Sequence, residues 1–156
     1  FTHLQDLLTH YNIVHQTGTN SLTRDYVRSI SIQNALGSLA DSYLPMGYIT
    51  ESEIGVYLHS ADLYFGRSGA HICYELGVLG LPSILTPLIS THDAEQHKNA
   101  EFIVKAKLGL ILSQSDLTLP HFFAILTELK KFKPIPMSLP RNAATVLIDD
   151  LLTELK

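Results

Sequence analysis

Ala61 to Glu75 reads ADLYFGRSGAHICYE: an apolar run, then the turn Gly66-Arg67-Ser68-Gly69-Ala70, then a helical pattern that contains Glu75. An apolar strand that breaks at Gly-Arg-Ser-Gly and opens into a helix is the repeating step of a parallel α/β sheet. The turn sits at the carboxyl end of its strand. There the first amides of the helix lack intrahelical partners and the helix end carries partial positive charge, so an anion is stabilised before any side chain contributes. Arg67 adds a full positive charge to the same turn.

The flanking sequence repeats this alternation. Upstream, Phe1, Leu4, Leu7 and Leu8 recur at helical spacing, and Asn12 to Gln16 is a short apolar run stopped by Thr17-Gly18. Leu22, Tyr26, Val27 and Ile30 continue a helical period that should end at Gly37. Ser42 to Ile49 suits a short strand around Pro45 and Gly47, and Thr50-Glu51-Ser52-Glu53 supplies a cap and first-turn acids for a helix through about His59. Ala61 to Phe65 is the next predicted strand and Gly69 to about Leu79 the next helix, closed by Gly80-Leu81-Pro82. Downstream, Ser83 to Leu88 is apolar, Asp93 to about Lys107 is helical, Leu108 to Leu112 is a strand, and Leu117 to Lys130 and Ala143 to Leu155 are amphipathic helices. The pattern predicts an α/β fold, a Rossmann-like doubly wound parallel sheet covered on both faces. One domain over 1–156 is expected, with 141–156 a terminal helix.

Composition narrows the function. The chain has 156 residues, 46% of them hydrophobic, which suits a globular domain with a real core. A net charge of -4 with interspersed Lys and Arg gives no basic stripe, which argues against nucleic acid as a partner; any anion site must be local. Cys73 stands alone, so a reducing compartment is expected, and no apolar run reaches the roughly 20 residues needed to span a bilayer. The expectation is a soluble cytoplasmic chain. It begins at Phe1, inside a helical pattern, and residues upstream of it are expected.

In an open parallel sheet, ligands sit beyond the carboxyl ends of the strands. The candidate loops are Gln16 to Asn20, Tyr48 to Glu53, Gly66 to His71 and Pro87 to Gln96. The Gly66 loop offers amides, Arg67 and the Ser68 hydroxyl. Glu75 follows Ser68 by seven residues, about two helical turns, and on one helix would share its face. A carboxylate so placed can accept both hydroxyls of a ribose. Asp93-Ala94-Glu95-Gln96 opens a helix where short polar chains can reach sugar hydroxyls. Plainer roles stand beside these. Ser68 and Asp93 are ordinary helix caps, Arg67 an ordinary solvated charge, and Gln96 an ordinary surface residue. Glu75 is sharper, because an acid among Ile72, Cys73, Tyr74 and Leu76 needs a partner or solvent. His92 and His97 are five apart and face different sides of a helix, so no metal site is expected, and Cys73 reads as a packed residue rather than a nucleophile. There is no G-x-G-x-x-G, no P-loop and no nucleophile elbow.

Five ordered blocks then carry a resemblance: Tyr11-Asn12-Ile13-Val14-His15-Gln16-Thr17-Gly18, Gly47-Tyr48-Ile49, Ala61-Asp62-Leu63 leading into Arg67-Ser68-Gly69-Ala70 with Glu75, Gly80-Leu81-Pro82, and His92 to Ala100. Over about residues 10 to 112 they resemble the carboxyl-terminal half of the MurG family, bacterial glycosyltransferases that move N-acetylglucosamine (GlcNAc) from UDP onto the lipid-linked acceptor lipid I in peptidoglycan synthesis. The resemblance implies one half of a GT-B enzyme that is peripheral on the inner face of the membrane. It implies that Ser68, Gly69 and Ala70 meet the diphosphate beside Arg67, that Glu75 takes the ribose hydroxyls, and that Ile49 contacts uracil through its backbone. Asp93, Glu95 and Gln96 would line the sugar, with Ala94-Glu95 standing where the family has Gln or His-Gln. No cofactor is implied. The family's Gly-rich turn and its acceptor-binding amino-terminal domain have no counterpart here, so the chain is expected to be a donor-binding hexosyltransferase fragment, inactive alone, with no catalytic base assigned. A non-catalytic nucleotide-sugar-binding subunit that needs a separate acceptor-binding partner is the alternative. A UDP-GlcNAc 2-epimerase shares the fold but fits the Arg-Ser-Gly-Ala block less well, and a purely structural domain leaves Arg67 and Glu75 without a role.

Overall fold

Every strand pair in the computed structural model is parallel, and each short strand is followed by a helical segment. The structure describes residues 1–88 and 94–139, together with the helical positions Ile148 and Thr153. The predicted terminal helix at 141–156 otherwise lies outside the described residues, as does Asp93. The chain divides into two compact units, Phe1–Ser60 and Ala61–Lys156.

The first unit runs α1 (Leu4–Leu8), β1 (Ile13–Gln16), α2 (Asp25–Ala35), a 3-10 turn (Gly37–Ser42), β2 (Tyr43–Met46) and α3 (Glu51–Ser60). β1 pairs with β2 in the register Ile13 to Tyr43 through Gln16 to Met46. Leu4, Leu8, Leu36 and Tyr43 form its core, with Ile13, Ile32, Leu39 and Ala40 packed against them. Within this unit the His15 Nδ1 lies 2.8 Å from the Tyr43 hydroxyl, and burial lowers the imidazole's affinity for a proton. Gly37 ends α2 as expected, with φ +58°. The start of α2 differs from the sequence expectation. Asn20 Oδ1 accepts from the Leu22 amide at 2.8 Å, a side-chain turn that holds the chain out of the helix until Asp25. Leu22 is therefore 90% exposed and Ser29, not the Leu22–Tyr26–Val27 stripe, is buried. α3 opens on the predicted cap: the Thr50 amide donates to Glu53 Oε2 at 3.0 Å and the Thr50 hydroxyl to the same oxygen at 2.6 Å.

The second unit runs β3 (Tyr64–Gly66), α4 (Ala70–Leu79), β4 (Ser83–Leu85), α5 (Ala94–Lys105), β5 (Gly109–Ile111), a 3-10 turn (Gln114–Asp116) and α6 (Leu119–Leu129). Its strand order is β3-β4-β5. All three residues of β4 are buried, as expected for the central strand of a parallel sheet covered on both faces. Leu76 of α4, Ala100 and Ile103 of α5, and Phe122, Leu126 and Leu129 of α6 are buried with it. β3 is shorter than predicted and begins at Tyr64 rather than Ala61. The Tyr64 amide donates to the Pro82 carbonyl at 2.9 Å. Pro82 has no N–H to return, so the ladder starts there. Gly109 permits the β4–β5 pairing, since a Cβ there would lie 2.5 Å from Ser83 Oγ.

Candidate functional site

The turn between β3 and α4 is fixed by residues that follow β4 and β5. The Gly66 carbonyl accepts from the Thr86 amide at 2.8 Å and the Thr86 hydroxyl at 3.1 Å, which ties the end of β3 to the residue after β4. The Tyr64 hydroxyl donates to the Arg67 carbonyl at 3.0 Å. That path exists because residue 66 is glycine: a Cβ there would lie 2.5 Å from the Tyr64 hydroxyl oxygen. Arg67 itself spans the ends of the next two strands. Nη1 donates to the Thr86 carbonyl at 2.9 Å and Nη2 to Gln114 Oε1 at 3.2 Å.

Ser68 is fully buried, and its hydroxyl donates to the Gln96 main-chain carbonyl at 2.8 Å. It does not cap α4. Gly69 occupies that position in an extended conformation, φ -64° and ψ 157°, with no side-chain cap bond. The first turn of α4 thus presents its amides without a capping side chain, and a Cβ on Gly69 would find nothing within 4 Å. Helix geometry begins only at Ala70, so the shared helical face expected of Ser68 and Glu75 does not follow from their spacing. Glu75 is half-buried next to the buried Leu76 and makes no hydrogen bond or ion pair among the described residues.

The start of α5 lies against the same turn. Asn99 Nδ2 donates to the Ser68 carbonyl at 3.2 Å, and Gln96 Oε1 accepts from the Leu88 amide at 3.1 Å. The Gln96 side-chain carbonyl is thus engaged by the β4–α5 loop. Glu95 is exposed in the first turn of α5. His97, considered for a metal, lies 3.6 Å from Glu101. Ile49 belongs to the first unit, where it is buried and its amide donates to Gln16 Oε1 at 3.2 Å. No hydrogen bond to its carbonyl is found among the described residues. Arg67, Ser68, Gly69, Ala70 and Gln96 thus come together around one turn. Thr86, Asn99, Gln114 and Tyr64 complete it, and the sequence reading assigns a role to none of them. Thr86, directly after β4, and Gln114, in the turn that follows β5, could be found by asking which polar residues lie just beyond the strand ends.

Residues 2–151 match the model of the glycosyltransferase family 28 C-terminal domain. The chain belongs to this family. Curated relatives of the family 28 domain include the UDP-N-acetylglucosamine--N-acetylmuramyl-(pentapeptide) pyrophosphoryl-undecaprenol N-acetylglucosamine transferase of Bifidobacterium adolescentis, 35% identical over 125 residues, covering 73% of this chain and 30% of that protein. The enzyme of the same name from Geobacter metallireducens is 28% identical over 166 residues, 97% of this chain and 41% of that protein. The crystal structure of Acinetobacter baumannii MurG is similar in fold, with a TM-score of 0.59 and 22% identity over 82% of this chain and 37% of that one. This family 28 domain is thus of the MurG type, a Rossmann-like α/β half of a GT-B glycosyltransferase, and it spans 30% to 41% of the length of these two curated relatives.

Proposed function

We propose that this domain binds UDP-N-acetylglucosamine and serves as the donor half of an inverting transferase that passes GlcNAc to lipid I. The observation that carries this is the β3–α4 turn. An uncapped helix start, an arginine held across the ends of three strands and a half-buried acid without a partner among the described residues lie within nine residues of sequence, Arg67 to Glu75. The amides from Gly69 onward and the Arg67 guanidinium take the diphosphate. Ser68, fully buried and with its hydroxyl committed to Gln96, holds the turn in shape rather than touching the phosphates. Glu75 accepts from the ribose hydroxyls, Ile49 offers its carbonyl to uracil, and Asp93, Glu95 and Gln96 line the sugar.

In the reaction, an acceptor hydroxyl oxygen attacks the anomeric carbon while the bond from that carbon to the diphosphate oxygen breaks. UDP leaves with the electron pair, and the acceptor's proton passes to a base outside this domain. Charge accumulates on the leaving diphosphate, where Arg67 and the helix end stabilise it. The acceptor, and peripheral attachment to the inner membrane face, belong to the whole protein in this proposal. Among the described residues no helix is long and apolar enough to cross a membrane.

Calorimetric titration of the full chain with UDP-GlcNAc, UDP and GDP tests this, repeated with Glu75→Ala. Loss of a charge-assisted hydrogen bond costs roughly 1.5 to 3 kcal/mol, so UDP affinity should fall about 10-fold to 100-fold. Unchanged UDP binding by Glu75→Ala would sink the ribose assignment, and equal affinity for GDP would sink the uracil one.

A further inference from the structure

We propose that Gln114 is a positioning residue: it holds the Arg67 guanidinium beyond the carboxyl ends of β3, β4 and β5 as an uncompensated cation for the diphosphate of a nucleotide donor. This rests on the donor-site function proposed above. Arg67 follows β3, Thr86 follows β4 and Gln114 follows β5, so the two acceptors fix the guanidinium from two different strands. Both are neutral oxygens, one a main-chain carbonyl and one a carboxamide. They orient the planar fork without cancelling its charge, and bonds to the described residues leave three of its five N–H donors for an incoming anion.

The guanidinium fork suits a bidentate pair with a carboxylate. Among the described residues no acid forms an ion pair with Arg67. Asp116 shares the 3-10 turn with Gln114, but its carboxylate accepts from the Ser115 hydroxyl at 3.4 Å. A carboxamide at 114 therefore does what a carboxylate could not: it restricts the side chain's rotamers while leaving the positive charge available. Pre-ordering of this kind strengthens binding by reducing the freedom lost when the ligand arrives.

The test compares UDP with uridine, which lacks the phosphates, on the full chain and on Gln114→Glu and Gln114→Ala, with urea unfolding as a control for the fold. Gln114→Glu keeps an acceptor for Nη2 but neutralises the guanidinium's field. It should lower UDP affinity at least tenfold while uridine affinity stays within twofold. Gln114→Ala frees the side chain but keeps its charge and should lower UDP affinity by about threefold to tenfold, again without moving uridine. Parallel losses of UDP and uridine would show a merely structural role and overturn the proposal. UDP binding indifferent to both substitutions would overturn it as well while leaving the donor site standing. Failure of the unmodified chain to bind UDP would overturn the donor site and this inference together.

Discussion

The Ser68 hydroxyl donates to the Gln96 carbonyl at 2.8 Å, joining the β3–α4 turn to the start of α5 across 28 residues of sequence. Asn99 returns a bond to the Ser68 carbonyl at 3.2 Å. Ser68 is thus held by both its side chain and its main chain, in a fully buried position that an incoming phosphate does not reach. Ser68→Ala should lower stability by about 1 kcal/mol, the net worth of one such bond, as measured by urea unfolding. UDP affinity should fall by less than the loss expected for Glu75→Ala. A large affinity loss at unchanged stability would mean that the hydroxyl turns outward to contact the ligand.

Gly69 and Gly80 flank α4 for different reasons. Gly80 has φ +65° and a Cβ there would lie 2.8 Å from the Pro136 nitrogen. Gly80→Ala should therefore cost at least ~1 to 2 kcal/mol for the left-handed backbone, with the clash in addition. Gly69 has ordinary extended angles and open space where a Cβ would stand. Gly69→Ala should cost less than about 1 kcal/mol of stability. Its effect should fall on the ligand, because a methyl group at the helix start keeps a diphosphate away from the amides. Equal UDP affinity in Gly69→Ala and the unmodified chain would remove this turn from the diphosphate site.

Much of this is legible in the residues alone. Gly37 and Gly80 mark helix ends because a left-handed residue is needed there, and both have positive φ. Thr50 and Glu53 announce a capped helix, and the pair is bonded as such. The alternation of apolar runs with helical periods implies the α/β class. Local turn chemistry is harder to see. Asn20 delays α2 through a side-chain bond to Leu22, which leaves apolar periodicity on solvent-facing residues. Ser68 looks like a cap, and a cap is a local event. Its actual partner is 28 residues away, and no spacing rule reports such a pairing. Arg67 is recognisable as a charge at the right turn, but its clamp by Thr86 and Gln114 depends on strand order, which emerges only once β3, β4 and β5 are placed side by side.

Tyr64 and Cys73 make the stability of the second unit sensitive to alkali. Burial is the main cause for both, raising the Tyr64 phenol from about 10 to about 12 and the Cys73 thiol from about 9 to about 11. In each case the folded state keeps its proton where the unfolded chain has released it, so the folded state binds more protons over that interval. Stability is then complete below about pH 9 and declines as pH rises, first through the thiol's interval and then through the phenol's. Urea unfolding from pH 8 to pH 11, within the range where the backbone is chemically stable, should show the midpoint falling above about pH 9. Cys73→Ala should remove the earlier part of that fall. Tyr64→Phe should flatten the later part while lowering stability near neutrality, because the Arg67 carbonyl loses its donor. In the native chain at pH 8 the thiol should react slowly with a soluble disulfide reagent, since the protonated, buried form dominates, and quickly once urea unfolds the unit. A midpoint constant from pH 8 to pH 11, or rapid labelling of native Cys73, would contradict the burial of the thiol and the partial desolvation of the phenol.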